Sequence, residues 1–266
     1  MTENGAIEKM ERPNTRSSLR ESFNQLGVEE GMVVIVHASL SAFGWVCGGP
    51  VAIIQALMDV VGESGTIVMP TQTADNSDPS QWENPPVPRE WWDTIRDEMP
   101  AYDPQVTPTR GMGKIIEAFR TFPGVVRSTH PIYSFAAWGK HSNYIVSEQP
   151  LEEGFGEKTP LAKIYQLNGR ILLLGVNHDS NTSLHYAEHA ILDREKVEKG
   201  TAMFEHGRRV WKKYEEIIYD SDCFNTLGRE FEQTNPFKAS MIGLATCKLI
   251  DQRLVVDYAR EWLKRK

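Results

Sequence analysis

The 266-residue chain lacks the features that mark several classes of protein. No apolar run approaches the ~20 residues that a membrane-spanning helix needs, and the N-terminal segment has no apolar stretch of the kind found in signal peptides. The three cysteines, Cys47, Cys223 and Cys247, are too few and too far apart for a disulfide framework or a four-cysteine zinc site. We therefore expect a cytoplasmic protein with no membrane partner.

Positive charge is also scarce. Lys and Arg number 29 against 36 Asp and Glu, which gives a formal net charge of -7. Because the chain has no block of Lys or Arg, it lacks the basic face of a nucleic-acid-binding protein, and no nucleic-acid partner is expected. No Ser/Gly-rich linker or charge run divides the sequence. We therefore predict a single domain over residues 1–266.

What the sequence does contain is an alternation of strand and helix patterns. A β-branched apolar segment at 32–37 predicts a buried strand. A Gly-rich loop, a helix expected between Pro50 and Gly62, and a second strand at 66–70 follow, which is the pattern of a βαβ unit. The alternation continues, and this indicates a layered α/β architecture. The further predicted elements are helices at 19–26, 111–120, 161–167, 183–191 and 251–266, strands at 134–138, 170–176 and 241–250, and a hairpin at 203–219.

Residues 71–108, called the insert below, show no clear periodicity and are predicted to form a long embedded loop. Seven of the 15 prolines and three of the seven tryptophans lie in it. A structureless segment of this length is usually functional or disordered, and the tryptophans argue against disorder. Between Asp75 and Asp103 it holds eight acidic residues against two arginines. Such a cluster attracts cations, although a merely solvated acidic loop is the alternative.

The segment NTSLHYAEH at 181–189 is the sharpest local pattern. On a helix, His185, Glu188 and His189 share one face because they are three and four residues apart. His185 could act as a general base oriented by Glu188. The same letters match a His-x-x-Glu-His zinc signature, which would need a third ligand. A surface helix with mixed polar residues is the third interpretation.

The loop at 37–44 follows the first strand and precedes the helix that starts at Pro50. Its small residues let a ligand approach the backbone, and the helix start offers unpaired N–H groups to an anion; a simple turn is the alternative. Cys47 is either a nucleophile or a small filler residue. Arg127 is a candidate phosphate ligand or an ordinary ion-pair partner, and His37 fits a hydrogen-bonded core histidine as well as a ligand.

Taken together, these motifs resemble the aminoglycoside N(3)-acetyltransferase family, whose members move an acetyl group from acetyl-coenzyme A to an amine. The resemblance runs from about Thr15 to the C-terminus. The segments that carry it are VHASLSAFG (36–44) with the two glycines that follow at 48–49, GTIVMPT (65–71), TPTRGMG (107–113), VRSTHPIYSFAAWG (126–139), TPLAKIY (159–165), LLLGV (172–176) and NTSLHYAEH (181–189).

The resemblance implies a layered α/β/α sandwich particular to this family, acetyl-coenzyme A as co-substrate and no metal. It implies His185 as the base and Glu188 as its partner. The coenzyme A site is then expected to involve His37, Ala38, Ser39, Leu40, Ser41, Phe43, Thr109, Arg127 and Ser128. The acceptor is expected at the insert, with Thr73, Asp75, Asp103 and Thr182 as candidate contacts.

The expected reaction is direct transfer to the 3-amino group of the deoxystreptamine ring of an aminoglycoside, with antibiotic resistance as the associated role. A small cationic amine is the expected partner, and a homodimer is compatible with the sequence. Three alternatives stay open: a ping-pong route through Cys47, a zinc hydrolase that uses His185 and His189, and a coenzyme A-binding protein with another amine acceptor.

Overall fold

The computed structural model describes residues 3–191 and 194–265. The strands in these ranges are β1 (Val33–Ala38), β2 (Thr66–Pro70), β3 (Val126–Arg127), β4 (Phe135–Gly139), β5 (Arg170–Leu174), β6 (Lys196–Glu205), β7 (Arg208–Ile217), β8 (Lys238–Ile242) and β9 (Ala245–Asp251). The helices are α1 (Glu3–Ile7), α2 (Arg16–Leu26), α3 (Gly49–Val61), α4 (Trp92–Glu98), α5 (Lys114–Arg120), α6 (Ser142–Val146), α7 (Pro160–Gln166), α8 (Ser183–Glu188), α9 (Phe224–Thr234) and α10 (Gln252–Leu263). Among these helices, none is long and apolar enough to cross a bilayer.

The main sheet has seven strands in the order β3-β4-β2-β1-β5-β9-β8. Its centre is parallel: β1 pairs with β2 on one side and with β5 on the other, so that Ile35 lies opposite both Val68 and Ile171. The outer pairings are antiparallel. The predicted βαβ unit is therefore confirmed as β1-α3-β2.

Helices cover both faces of this sheet, and the alternation of side chains along β1 shows why. Val34 and Val36 point to one face, where they pack in a buried cluster with side chains of α2, α3 and α5. Val33 and Ile35 point to the other, where the cluster includes side chains of α7, α8, α9 and α10. A strand that is apolar on both faces requires a layer on each side. The layered α/β/α prediction is confirmed.

A separate two-stranded sheet is formed by β6 and β7. The two residues of its turn, His206 and Gly207, both have positive φ, 50° and 75°, as the tight turns that match strand twist require. The predicted hairpin is confirmed and is longer than expected. The expected strand at 241–250 is wrong as a single strand, because the chain reverses at Gly243 (φ 57°) and forms the hairpin β8–β9.

The insert is more ordered than a loop. It contains α4 and several single turns of 3-10 helix, and it is tied to the β6–β7 hairpin. Asn76 donates to the hydroxyl of Thr201 at 3.1 Å and to the carbonyl of Ala202 at 3.1 Å, and the backbone N–H of Tyr102 also donates to Ala202. The insert and the hairpin are thus joined through backbone and buried polar groups.

Candidate active site

A cavity of about 770 Å³ opens at the carboxyl ends of β1, β2 and β5. The carboxyl ends of parallel strands are the usual place for a ligand in an open α/β sheet. Strand β1 contributes Val36, His37 and Ala38, β2 contributes Pro70, and Val176 lies two residues beyond β5. The cavity therefore lies where the sequence places its small-residue loop.

Six of the predicted site residues line this cavity. They are His37, Ala38, Ser39, Leu40, Ser41 and Thr182. The hydroxyls of Ser39 and Ser41 lie 3.2 Å apart, in the loop that runs from β1 to α3. The predicted positions of this loop and of Thr182 thus meet in one space.

Other predicted coenzyme A residues do not line it. Phe43 is fully buried in the core. The hydroxyl of Thr109 donates to Oε2 of Glu117 at 2.7 Å. Ser128 is buried; its hydroxyl donates to Gln149 at 2.7 Å and accepts from the backbone N–H of Phe135 at 2.9 Å. These three side chains are engaged in packing and hydrogen bonding within the protein.

Arg127 is not among the residues that line the cavity either. Its Nη2 donates to the carbonyl of Thr71 at 2.7 Å, its Nη1 donates to the carbonyl of Thr107 at 2.6 Å, and its guanidinium lies 5.2 Å from the ring centre of Tyr102. Thr71 and Thr107 stand at the two ends of the insert. Arg127 therefore holds the two ends of the insert together through hydrogen bonds to their carbonyl groups, and its guanidinium is not presented to a phosphate in the cavity.

Several lining residues were not singled out from the sequence. Trp45, Gln72, Met112 and Lys114 are among them. Lys114 is exposed at the start of α5, where its ammonium is available to an anion in the cavity. The available signal was the segment TPTRGMG at 107–113, whose last glycines, Gly111 and Gly113, also line the cavity and have positive φ.

His185 and Glu188 are brought together by one turn of α8. Nδ1 of His185 lies 2.6 Å from Oε2 of the buried Glu188. A carboxylate accepts hydrogen bonds only, so this contact assigns the neutral imidazole to the tautomer with the proton on Nδ1 and the lone pair on Nε2. Oε1 of Glu188 forms an ion pair with Nη2 of Arg194 at 2.9 Å and accepts from the backbone N–H of Asp220 at 3.1 Å. The carboxylate is fixed on three sides.

An aromatic cage holds the imidazole of His185. Its ring stacks on Phe155, with centres 4.9 Å apart and planes at 10°, and meets the rings of Tyr219 and Phe224 at 5.3 and 4.8 Å. The side chain keeps 14% of its surface exposed. His185 is thus oriented by packing as well as by its carboxylate.

His189 has a different environment from His185. Its Nε2 lies 2.8 Å from the hydroxyl of Tyr219, and burial lowers its pKa. Within residues 3–191 and 194–265, no group of three or more His, Cys, Asp or Glu side chains is arranged to hold a metal ion. Within the described ranges, His185 and His189 are therefore not part of a cluster of three or more possible metal ligands.

His37 is a buried member of the cavity wall. Burial, reinforced by the neighbouring His178 and His185, lowers its pKa to about 3. Its Nε2 is buried without a hydrogen-bond partner among the described residues. At neutral pH this imidazole is uncharged.

The predicted acceptor-side residues are spread out. Thr73 is buried and its hydroxyl donates to the carbonyl of Pro131. Asp75 is exposed and pairs with Arg110 at 3.4 Å. Asp103 accepts from the backbone N–H of Gln105 at 2.8 Å. Of the four candidates only Thr182 lines the cavity. The structure does not gather the other three around it.

The family model that matches the chain is that of the aminoglycoside 3-N-acetyltransferases, over residues 35–264. The chain is 49% identical over 257 residues to the SPbeta prophage-derived aminoglycoside N(3')-acetyltransferase-like protein YokD of Bacillus subtilis, with 96% of this chain and 94% of the relative covered. It is 33% identical over 283 residues to the aminoglycoside N(3)-acetyltransferase VII of Streptomyces paromomycinus, with 100% and 97% covered.

Solved structures give the same result. The crystal structure of YokD from Bacillus subtilis superposes with a TM-score of 0.96 at 48% identity, covering 98% of this chain and 97% of that one. The binary complex of AAC-IIIb with CoASH has a TM-score of 0.85 at 30% identity, covering 96% and 97%. AAC-VIa bound to sisomicin has a TM-score of 0.86 at 29% identity, covering 96% and 98%. The chain therefore belongs to the aminoglycoside 3-N-acetyltransferase family and is an acyltransferase rather than a zinc hydrolase.

Proposed function

We propose that the protein transfers the acetyl group of acetyl-coenzyme A directly to an amino group of an aminoglycoside, at position 3 of the deoxystreptamine ring. The observation that carries the proposal is the His185–Glu188 hydrogen bond on α8, whose first turn follows the cavity residue Thr182. Family membership supports the chemistry, and the relative that binds CoASH supports the co-substrate.

The cavity is the proposed place of coenzyme A. Its lining includes Met112 and Lys114 at the start of α5, and Ser180 and Thr182 in the segment before α8. In this assignment Lys114 faces a phosphate, and backbone groups of the loop after β1 lie along the chain of the ligand. The thioester end then approaches α8, because Thr182 stands directly before that helix.

The proposed role of His185 is to take a proton from the acceptor. An amine is protonated near neutral pH and cannot attack a carbonyl until a proton leaves. Nε2 of His185 accepts that proton, and the Glu188 carboxylate stabilises the imidazolium that forms. The neutral amine nitrogen then bonds to the thioester carbon and the carbon–sulfur bond breaks. The nitrogen loses a second proton to become the amide, and the leaving coenzyme A thiolate takes up a proton to become the thiol.

Charge that develops on the carbonyl oxygen requires a hydrogen-bond donor. Of the two hydroxyls considered from the sequence, Thr73 donates to Pro131 and lies away from the cavity, whereas Thr182 lines it. Thr182 is therefore the proposed hydroxyl donor. No covalent enzyme intermediate is needed in this scheme, because the amine attacks the thioester carbon directly.

The test is thiol release from acetyl-coenzyme A, measured across aminoglycosides and a panel of other primary amines. Release with aminoglycosides, slowed by about 10²–10⁴ in His185→Ala while coenzyme A still binds, is the expected result. Thiol release with simple amines but not with aminoglycosides would show that the proposed acceptor is wrong. No release with any amine would contradict the proposed activity and favour a protein that only binds coenzyme A. Mass spectrometry after acetyl-coenzyme A alone is expected to show an unmodified Cys47; an acetylated Cys47 would establish the ping-pong route.

A further inference from the structure

The side chain of Lys199, on β6, ends in a pocket made of one carboxylate and two aromatic rings. Its Nζ lies 2.9 Å from Oε2 of Glu216 and donates to the hydroxyl of Tyr133 at 2.6 Å. It also lies 4.9 Å from the ring centre of Tyr133 and 5.4 Å from that of Tyr219. A carboxylate with aromatic faces around it is the arrangement that recognises ammonium groups.

The pocket is buried, and its carboxylate is fixed by hydrogen bonds from neighbouring residues. Lys199 keeps 12% of its side chain exposed and Glu216 none. The second oxygen of Glu216 accepts from the backbone N–H of Gly154 at 2.7 Å and from the hydroxyl of Tyr219 at 3.0 Å. Burial disfavours the charge on Lys199, but Tyr133 and Glu216 outweigh it and raise the pKa of the ammonium. The lysine is therefore charged in its pocket.

The pocket adjoins the proposed catalytic base. The ring of Tyr219 lies 5.3 Å from the imidazole of His185, and Phe155, which stacks on that imidazole, lies 4.6 Å from the ring of Tyr133. One aromatic ring thus separates the ammonium of Lys199 from the imidazole that would deprotonate an acceptor.

We propose that the pocket of Glu216, Tyr133 and Tyr219 is an ammonium subsite of the acceptor site that Lys199 already occupies. The protein then selects against acceptors that carry a second ammonium group at that place, and it accepts those that carry a hydroxyl or an apolar group there. This inference rests on the proposed function, since it specifies the acceptor of the same site, but its first test needs no catalysis.

That test replaces the lysine with a small molecule. Lys199→Ala leaves the carboxylate and rings around an empty space, which n-propylammonium chloride can fill. We expect n-propylammonium to raise the Tm of Lys199→Ala by about 3 °C more than sodium chloride does at the same concentration. Wild type and Lys199→Met, which keeps most of the side-chain volume without the charge, should show no such difference. Lys213→Ala, at an exposed lysine paired with Glu198, is the matched control and should behave as wild type.

The second measurement uses paired acceptors that differ by one amino group exchanged for a hydroxyl. Lys199→Ala should raise the kcat/KM ratio of the amino to the hydroxyl acceptor by about tenfold relative to wild type. An equal response of Lys199→Ala and wild type to n-propylammonium, or an unchanged ratio, would overturn the inference. If Lys199→Ala does not fold in sodium chloride, the yield of folded protein after refolding is compared between sodium chloride and n-propylammonium chloride. Equal yields in the two salts would also contradict the inference.

The two proposals fail in different ways. If n-propylammonium stabilises Lys199→Ala but no amine is acetylated, the pocket binds an ammonium group and the proposed function is wrong. If amines are acetylated and n-propylammonium has no specific effect, the function stands and the subsite does not.

Discussion

Arg127 bridges the two ends of the insert, because its guanidinium donates both to the carbonyl of Thr71 and to that of Thr107, at 2.7 and 2.6 Å. Arg127→Lys cannot reproduce these bonds, since an ammonium has one nitrogen where the guanidinium uses three. We expect a loss of about 3 kcal/mol in the free energy of unfolding, measured by urea denaturation, with coenzyme A affinity unchanged. Arg110→Lys, at an exposed pair, is the control. Weakened coenzyme A binding at unchanged stability would instead restore the phosphate contact predicted from the sequence.

The second prediction concerns the base. His185→Ala should lower kcat by about 10²–10⁴, the usual share of general-base catalysis, with little change in coenzyme A affinity. Glu188→Gln should cost less in kcat because the imidazole remains, but it should also lower the Tm, since Arg194 loses its carboxylate partner. His189→Ala should be mild. Steady-state kinetics, a coenzyme A titration and a thermal melt of each of the three variants measure kcat, affinity and Tm. A His189→Ala enzyme as inactive as His185→Ala would contradict the assignment of His185 as the base.

The acids of the insert should separate into two groups. Asp78 is held by Arg96, whose Nε and Nη2 donate at 3.0 and 2.8 Å. Burial alone would raise the pKa of Asp78, but the hydrogen bonds from Arg96 and Ser80 outweigh it and keep the pKa below its ordinary value. Asp78→Asn should therefore lower stability at neutral pH, and the difference from wild type should disappear as the pH falls below about 4.

Asp75 and Asp103, by contrast, have no close arginine partner of this kind, since Asp75 is exposed and pairs with Arg110 only at 3.4 Å and Asp103 is half-buried. Asp75→Asn combined with Asp103→Asn should raise the acceptor KM at low salt without lowering the Tm. The effect should shrink with added salt, because exposed charges are screened over about 8–10 Å at physiological ionic strength. Identical KM values for variant and wild type at low salt would leave these acids as a solvated surface.

Two buried histidines should make the protein sensitive to acid. Burial lowers the pKa of His37 and of His130 to about 3, whereas the unfolded chain titrates near 6.5. Between these values the unfolded state binds more protons, so stability is complete above pH 6.5 and is lost as the pH falls. Each histidine should contribute a slope of about 1.4 kcal/mol per pH unit. Urea unfolding at pH 7, 6 and 5 should show a smaller dependence of stability on pH for His37→Gln than for wild type.

Much of the fold follows from local sequence signals. Leu19, Phe23 and Leu26 sit at helical spacing and are the buried residues of α2, and Gly27 ends that helix in the left-handed conformation. Strand β2 has the predicted bounds. Helix α9 was missed although Phe224, Leu227 and Phe231 form its buried face, because a glycine, an arginine and a glutamate between them weaken the apolar periodicity. Helix α8 is shorter than predicted, since it ends at Glu188.

The site was predictable only in part, for a physical reason. A pair such as His185 and Glu188 is fixed by helical spacing, so the sequence specifies it. Arg127 follows an apolar pair in the sequence, and nothing local reveals that its partners lie at Thr71 and Thr107. Lys199 gave no signal either, because its partner Glu216 lies on the opposite strand of a hairpin and Tyr133 lies 66 residues away. Contacts of this kind depend on how distant segments meet.

The bonds between the insert and the β6–β7 hairpin have a consequence for protein engineering. Asn76 and Tyr102 in the first segment are matched to Thr201 and Ala202 in the second. If one of these segments were grafted from a relative without the other, buried donors would lose their acceptors, at a cost of about 1–3 kcal/mol each. Chimaeras intended to exchange acceptor preference should therefore carry both segments together, as one transplantable unit.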